Sequence, residues 1–278
     1  MTPANPVKIG PVSIGQGRPL ALIAGPCVME PGDLTMHIAN RLFEICTELA
    51  VPLIFKASFD KANRTSGSSF RGPGMVEGLK TFERIKAEFP VPVTTDIHET
   101  AQAVSLAKVV DLIQVPAFLA RQTDLLEAAA GTGRPINVKK GQFMAPWDMA
   151  NVVAKVTQAG APGILLTERG TTFGYGRLVN DFRAIPQMQA TGAPVVFDAT
   201  HSVQLPSAGA GGTASSGQRE MIPTLAKAAV AAGCDALFVE VHPDPDKALS
   251  DGPNSLQIDD LPALLRTCLR IRHAIDLP

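Results

Sequence analysis

Residues 20–30 read LALIAGPCVME, an apolar run of strand length that ends in Gly25-Pro26-Cys27. The turn after this run separates two α/β architectures. An open doubly wound sheet usually carries a GxGxxG turn after its first strand, where backbone amides meet a dinucleotide phosphate. Here the turn is AGPCVME. Seven further short apolar runs lie along the chain: PLIFKASF (52–59), VPVTTDIH (91–98), LIQVPAF (112–118), PINVKKG (135–141), GILLTERG (163–170), APVVFDATHS (193–202) and ALFVEVHP (236–243). All are rich in Val, Ile, Leu and Phe without strict alternation, as expected of strands buried on both faces of a parallel sheet.

Segments of helical period lie between them. In 33–50, Leu34, Ile38, Leu42, Ile45 and Leu49 form one stripe behind Asp33, a candidate N-cap. Similar segments span about 74–88, 99–108, 121–130, 147–159, 180–190, 217–232 and 256–273, with Gly131, Gly160, Gly192 and Gly233 as candidate C-terminal caps. Eight strand–helix units predict a (β/α)8 TIM barrel, with 1–278 as one domain. Residues 1–19 are expected to form a short N-terminal β-hairpin extension at the barrel bottom, and 207–217 (SAGAGGTASSG) a mobile rim loop.

Composition narrows the function classes. The 278 residues carry 25 Lys+Arg against 26 Asp+Glu, a formal net charge of −1, and only 5% aromatic residues. That balance argues against nucleic-acid partners and against charge-driven membrane association. The start lacks a secretory apolar core and no long apolar span occurs, so a cytoplasmic location is expected. Cys27, Cys46, Cys234 and Cys268 form no CxxC pair and are expected as thiols. Cys46, Cys234 and Cys268 read as core filler, whereas Cys27 sits just past a strand end.

The ionisable residues share one address. The strand ends carry Cys27; Lys56, Ser58, Asp60 and Lys61; Asp96 and His98; Gln114; Lys139 and Lys140; Glu168 and Arg169; Asp198 and His201; Glu240 and His242. Catalytic groups of a barrel sit at that rim, and so many polar groups ending apolar strands must pair or bind a ligand. Lys56, Lys61, Arg64, Lys139 and Arg169 suit a substrate with a carboxylate and phosphates. Lys139 and Lys140 point to opposite faces, so only one can enter the mouth. Cys27, His201, Glu240 and Asp251 form a mixed donor set able to hold a divalent ion such as Zn, Fe or Mn.

The motifs FKASFDKANRTSGSSFRGPG, TTDIHE, IQVPAFLARQTDL, NVKKGQF, TERG, FDATHSVQLP, GQREMIP and EVHPDPDKALSDGPNSL extend through most of the chain. In these the sequence resembles the 3-deoxy-D-manno-octulosonate 8-phosphate (KDO8P) synthases, within the wider family that includes 3-deoxy-heptulosonate phosphate (DAHP) synthases. KANR is the discriminating piece, since DAHP synthases carry a KPRTSP-like sequence there.

The resemblance implies condensation of phosphoenolpyruvate with D-arabinose 5-phosphate, releasing phosphate, in lipopolysaccharide biosynthesis. It implies that Lys61, Lys139 and Arg169 hold phosphoenolpyruvate with Lys56 and Gln114 nearby. Asn63, Arg64 and Thr65 would meet arabinose 5-phosphate, with Asp96 and Phe118 at its sugar end. Arg64 would reach a neighbouring active site, implying a homo-oligomer, typically a tetramer. Cys27, where a metal-independent branch has Asn, implies the metal-dependent branch, with His201, Glu240 and Asp251 as the other ligands. Candidate catalytic residues are Lys61, Lys139, His201 and Asp251.

Three features depart from the family pattern: Thr65 for the usual Ser, Gly176-Arg177 for an Asn-Asn pair, and an Ala/Ser-rich 207–217. The alternatives are a DAHP synthase using erythrose 4-phosphate, a sialic-acid-type synthase, and an inactive metal- or ligand-binding barrel.

Overall fold

The computed structural model describes residues 2–63, 67, 69–174, 176–206, 208 and 216–276. The eight expected strands are present as β1 (Ala21–Gly25), β2 (Leu53–Lys56), β3 (Val93–Asp96), β4 (Leu112–Val115), β5 (Ile136–Lys139), β6 (Ile164–Glu168), β7 (Val195–Asp198) and β8 (Ala236–His242). Each pairs in parallel with its neighbour in sequence, and β8 pairs with β1 and β7, so the sheet closes on itself. Closure is why the runs do not alternate. One face of every strand meets the helices and the other fills the barrel, and all eight are buried along their length. The chain is a (β/α)8 barrel.

The helices are α1 (Leu34–Glu48), α2 (Met75–Glu88), α3 (Ala103–Ala107), α4 (Thr123–Ala130), α5 (Met149–Gln158), α6 (Ala184–Gln189), α7 (Ile222–Ala231) and α8 (Leu261–Asp276). Helices α3, α6, α7 and α8 begin several residues later than periodicity predicts. Single 3-10 turns precede α7 and α8, and Leu256–Gln257 adds a short parallel strand beside β8. Asp33 occupies the N-cap position of α1 but makes no capping hydrogen bond, and its carboxylate faces Arg84 at 3.5 Å instead. Gly160, Gly192 and Gly233 take the positive φ expected after a helix end. Gly131 does not, because its helix continues right-handed through it and Gly133 makes the left-handed turn, φ +76°.

The N-terminal hairpin forms from Val7–Ile9 and Val12–Ile14. Its four apolar side chains Val7, Ile9, Val12 and Ile14 are buried with Ile23, Ile54, Leu112, Leu165, Val196 and Phe238 of the barrel interior. It therefore plugs the end of the barrel opposite the strand C-termini. Cys46, Cys234 and Cys268 lie in the main core as expected. After β6, Thr171–Gly174 and Arg177–Val179 form an antiparallel ribbon in which Gly176 has φ +66°. Gly enters this region at no steric cost, which suits it to this turn. After β7, Gln204–Leu205 pairs with Ser216–Gly217, so these last residues of the expected loop are in a ribbon. Most of 207–217 lies outside the described residues.

Gly25 closes β1 against β2 too tightly for any side chain, since a Cβ there would lie 1.8 Å from the Lys56 carbonyl oxygen. Gly25→Ala is expected to destabilise the fold by about 3 kcal/mol or more, because the clashing atom is backbone in a packed sheet. Urea unfolding would register this as a lower midpoint.

Candidate active site

The polar strand ends converge on a cavity of about 720 Å³ at the C-terminal mouth of the barrel. Lys56, Lys61, Lys139 and Arg169 line it, facing Asp96, His98, His201 and Asp251. All four cations are buried, at 1–9% exposure, so their charges must be compensated within the protein or by a bound anion.

One side of the mouth gathers the mixed donors. Cys27 lies just past β1, and its Sγ is 2.8 Å from Ser250 Oγ and 3.1 Å from Asp251 Oδ2. Glu240, inside β8, accepts Lys56 Nζ on Oε1 at 2.7 Å, while its Oε2 is buried without a hydrogen-bond partner. His201 Nε2 faces that free oxygen at 3.7 Å and Asp251 Oδ2 at 4.0 Å. Donor atoms of Cys27, Glu240 and Asp251 lie within 4.8 Å of one another. Asp251 reaches in from a left-handed backbone, φ +51°, and the next residue, Gly252, would drive a Cβ to 2.2 Å from the Pro245 carbonyl oxygen. Backbone strain of this kind persists where surrounding structure holds it, commonly at working sites.

Asp198, at the end of β7, organises the centre. It accepts Lys139 Nζ at 2.6 Å and lies 2.8 Å from His201 Nδ1. Its other oxygen accepts the Thr200 and His201 amides and the Thr200 hydroxyl. When His201 is neutral, a carboxylate on Nδ1 selects the tautomer that leaves Nε2 with a free lone pair toward Glu240 and Asp251. Burial opposes ionisation of Asp198, but His201 and Lys139 outweigh it and hold its carboxyl well below the usual range. Glu240 is held low against the same burial by His201 and Lys56. Burial pushes the Cys27 thiol up, with Asp251 and Glu240 adding to the effect.

The cations are individually tethered. Lys56 also donates to the Cys27 carbonyl at 3.1 Å. Lys139 sits over the Phe238 ring, 3.9 Å from its centre, in a cation–π contact, while burial pushes its ammonium down against the pull of Asp198. Burial also works against the Lys61 ammonium, but Cys27 and the carboxylates of Glu240, Asp96 and Asp251 raise it above the ordinary lysine range. Arg169 Nη2 donates to the His201 carbonyl at 2.7 Å and to Gln204 Oε1 at 2.9 Å, and its buried Nε has no partner. Lys140, the residue just past β5, is fully buried and bonded to the Met144 carbonyl and Thr171 Oγ1, so it ties two rim loops together outside the mouth.

The structure brings Cys27, Lys56, Lys61, Asp96, Lys139, Arg169, His201, Glu240 and Asp251 to one place. Asn63 and Phe118 lie on its wall, with Phe118 55% exposed. Gln114 is absent from the cavity lining and instead lies beneath the floor, donating to Asp96 Oδ1 at 2.6 Å. Arg64 and Thr65 lie outside the described residues. Asp198 and Ser250 have roles here that their places in the sequence did not assign. Asp198 ends its strand as the other rim residues do, so its position was a usable signal. Ser250 carried none.

A family model described as DAHP synthetase I family matches residues 2–276. This chain belongs to that family. Among curated relatives named 2-dehydro-3-deoxyphosphooctonate aldolase, one from Synechococcus sp. is 59% identical over 96% of this chain and 93% of its own. One from Cyanothece sp. is 60% identical over 95% of this chain and 96% of its own, and one from Geobacter sp. is 58% identical over 94% of both.

Proposed function

We propose that this chain condenses phosphoenolpyruvate with D-arabinose 5-phosphate and water, giving 3-deoxy-D-manno-octulosonate 8-phosphate and inorganic phosphate. The carrying observation is that four buried cations line one cavity, beside the thiol–imidazole–carboxylate cluster. The name shared by the relatives, 2-dehydro-3-deoxyphosphooctonate aldolase, supports the product.

In this reading Lys61, Lys139 and Arg169 bind the carboxylate and phosphate of phosphoenolpyruvate, and the unpartnered Arg169 Nε is a donor ready for that anion. Asp96, with Asn63 and Phe118, lines the aldehyde sugar's position. The methylene carbon of phosphoenolpyruvate attacks the aldehyde carbon while water adds to the phosphate-bearing carbon. The resulting tetrahedral carbon expels phosphate by C–O cleavage. Cationic character at that carbon and alkoxide at the aldehyde oxygen develop together, and fixed charges facing each lower the barrier without reorganising. Lys56 already neutralises Glu240 Oε1 at 2.7 Å, so its part is to set local charge more than to grip substrate.

Cys27, His201, Glu240 and Asp251 fit a divalent ion. The free buried Glu240 Oε2 and the Nε2 lone pair of His201 face one region, and the donor set mixes one soft ligand with harder ones. When bound, such an ion polarises oxygen and fixes its orientation. The tetramer, with Arg64 completing a neighbouring site, and the cytoplasmic location belong to the same proposal. Among the described residues no helix is long and apolar enough to cross a membrane.

Phosphate release from phosphoenolpyruvate, assayed with arabinose 5-phosphate and with erythrose 4-phosphate, tests the assignment. Turnover at least about tenfold faster in kcat/KM with the five-carbon sugar is expected, as when a site loses a contact with a shorter substrate. Preference for the four-carbon sugar would overturn the assignment.

A further inference from the structure

Beneath the cavity floor a hydrogen-bonded chain of side chains crosses five adjacent strands or their ends. Thr167 Oγ1 donates to Asn137 Oδ1 at 2.7 Å, Asn137 Nδ2 to Gln114 Oε1 at 2.9 Å, and Gln114 Nε2 to Asp96 Oδ1 at 2.6 Å. From the other direction Ser58 Oγ donates to Asp96 Oδ2 at 2.6 Å. Asp96 and Gln114 are direct cross-strand neighbours, as are Gln114 and Asn137. Thr167, Asn137 and Gln114 are all essentially inaccessible, and none of the three lines the cavity.

The polarity of this chain is forced from its end. An ionised carboxylate only accepts, so Gln114 must turn its NH2 to Asp96 and its carbonyl to Asn137. Asn137 must then offer its own NH2, which leaves its carbonyl in need of a donor, and the Thr167 hydroxyl supplies one. Every link leans toward Asp96, and burial strengthens each bond while making a missing one costly. Asp96 is thereby pinned through both oxygens, with its remaining lone pairs toward the cavity it lines.

We propose that Thr167 and Asn137 are positioning residues for the sugar acceptor: they lock the Gln114 amide, and through it the Asp96 carboxylate that meets an acceptor hydroxyl. This rests on the proposed function, which puts Asp96 at the sugar.

Thr167→Val removes the donor and keeps the shape of a β-branched strand residue, and Thr167→Ser restores the hydroxyl. In steady-state kinetics Thr167→Val is expected to raise KM for arabinose 5-phosphate about three- to tenfold, the scale of one buried hydrogen bond, with KM for phosphoenolpyruvate unchanged. Thr167→Ser should return the acceptor KM to within about twofold of wild type, a recovery set by the hydroxyl it restores. Thr167→Ala, which deletes the hydroxyl without repacking demands, should repeat the Val result and replaces it if the Val variant does not fold. Unchanged KM values in both hydroxyl-free variants, or equal rises for both substrates, would overturn the proposal. Wild-type protein inactive with arabinose 5-phosphate marks instead the failure of the proposed function, and this inference falls with it.

Discussion

Exhaustive chelation is expected to abolish phosphate release, by about a thousandfold or more, and a divalent ion added back should restore it. A loss of that size corresponds to the several kcal/mol that a metal typically contributes to a transition state. The expectation rests on Glu240 Oε2, which is buried with no hydrogen-bond partner, an arrangement that costs stability unless something else occupies that oxygen. It rests equally on Cys27, whose thiol is driven up by burial and by Asp251 and Glu240 against the pull of Lys61 and Lys56, and which therefore needs a directly bound metal ion to favour the thiolate. Cys27→Ala should lower Zn²⁺ affinity measured by titration calorimetry, and Co²⁺ loading of wild type should give a thiolate charge-transfer band absent in the variant. Full activity in thoroughly metal-free protein would remove the ion from the reading and leave the cations to account for the chemistry alone.

Asp198→Asn is expected to reduce kcat/KM by about a hundredfold or more, the range seen when a carboxylate that orients a histidine is made neutral. The substitution is nearly isosteric, so packing should survive. Its effect is electrostatic: Lys139 Nζ at 2.6 Å and His201 Nδ1 at 2.8 Å both depend on this one acceptor. Both contact the same oxygen, Oδ2, while Oδ1 accepts the Thr200 and His201 amides, so the single carbonyl oxygen of an amide can serve only one side and its NH2 meets donors on the other. Lys139 is 6% exposed and would lose its principal counter-charge, while His201 would lose the partner that selects its tautomer. Wild-type kinetics in Asp198→Asn would mean that Lys139 and His201 act independently. The substitution therefore tests whether the two halves of the site, the cations and the thiol–imidazole–carboxylate cluster, are joined through β7.

Much of this was legible in the sequence because it is written in local terms. The strands declare themselves through apolar runs that need no partner to be recognised, and a residue that ends such a run must emerge at the rim. Cys27, Lys56, Asp96, Lys139, Arg169, His201 and Glu240 are placed at strand ends by that rule, and the cavity and the donor cluster beside it bring them together. The rule places a residue along the strand but says nothing of its partner across the barrel. Gln114 shows the consequence: it lies near the end of β4 as a site residue should, yet it lies beneath the floor and bonds Asp96. Helix ends failed for the related reason that caps compete with tertiary contacts, as where Asp33 faces Arg84 and leaves its helix uncapped by a side chain.

The sequence by itself determined the barrel, the plugging hairpin and the list of ionisable groups at the rim, because periodicity and strand length result from burial that each segment requires locally. Only the tertiary structure decided which of those groups meet. Asp198 joining Lys139 to His201, Ser250 reaching Cys27 across 223 positions, and Thr167 backing Asp96 through two amides are contacts made by closing the sheet. Hydrogen bonds and charges act over a few ångströms, and sheet closure alone brings residues so distant in sequence within that range.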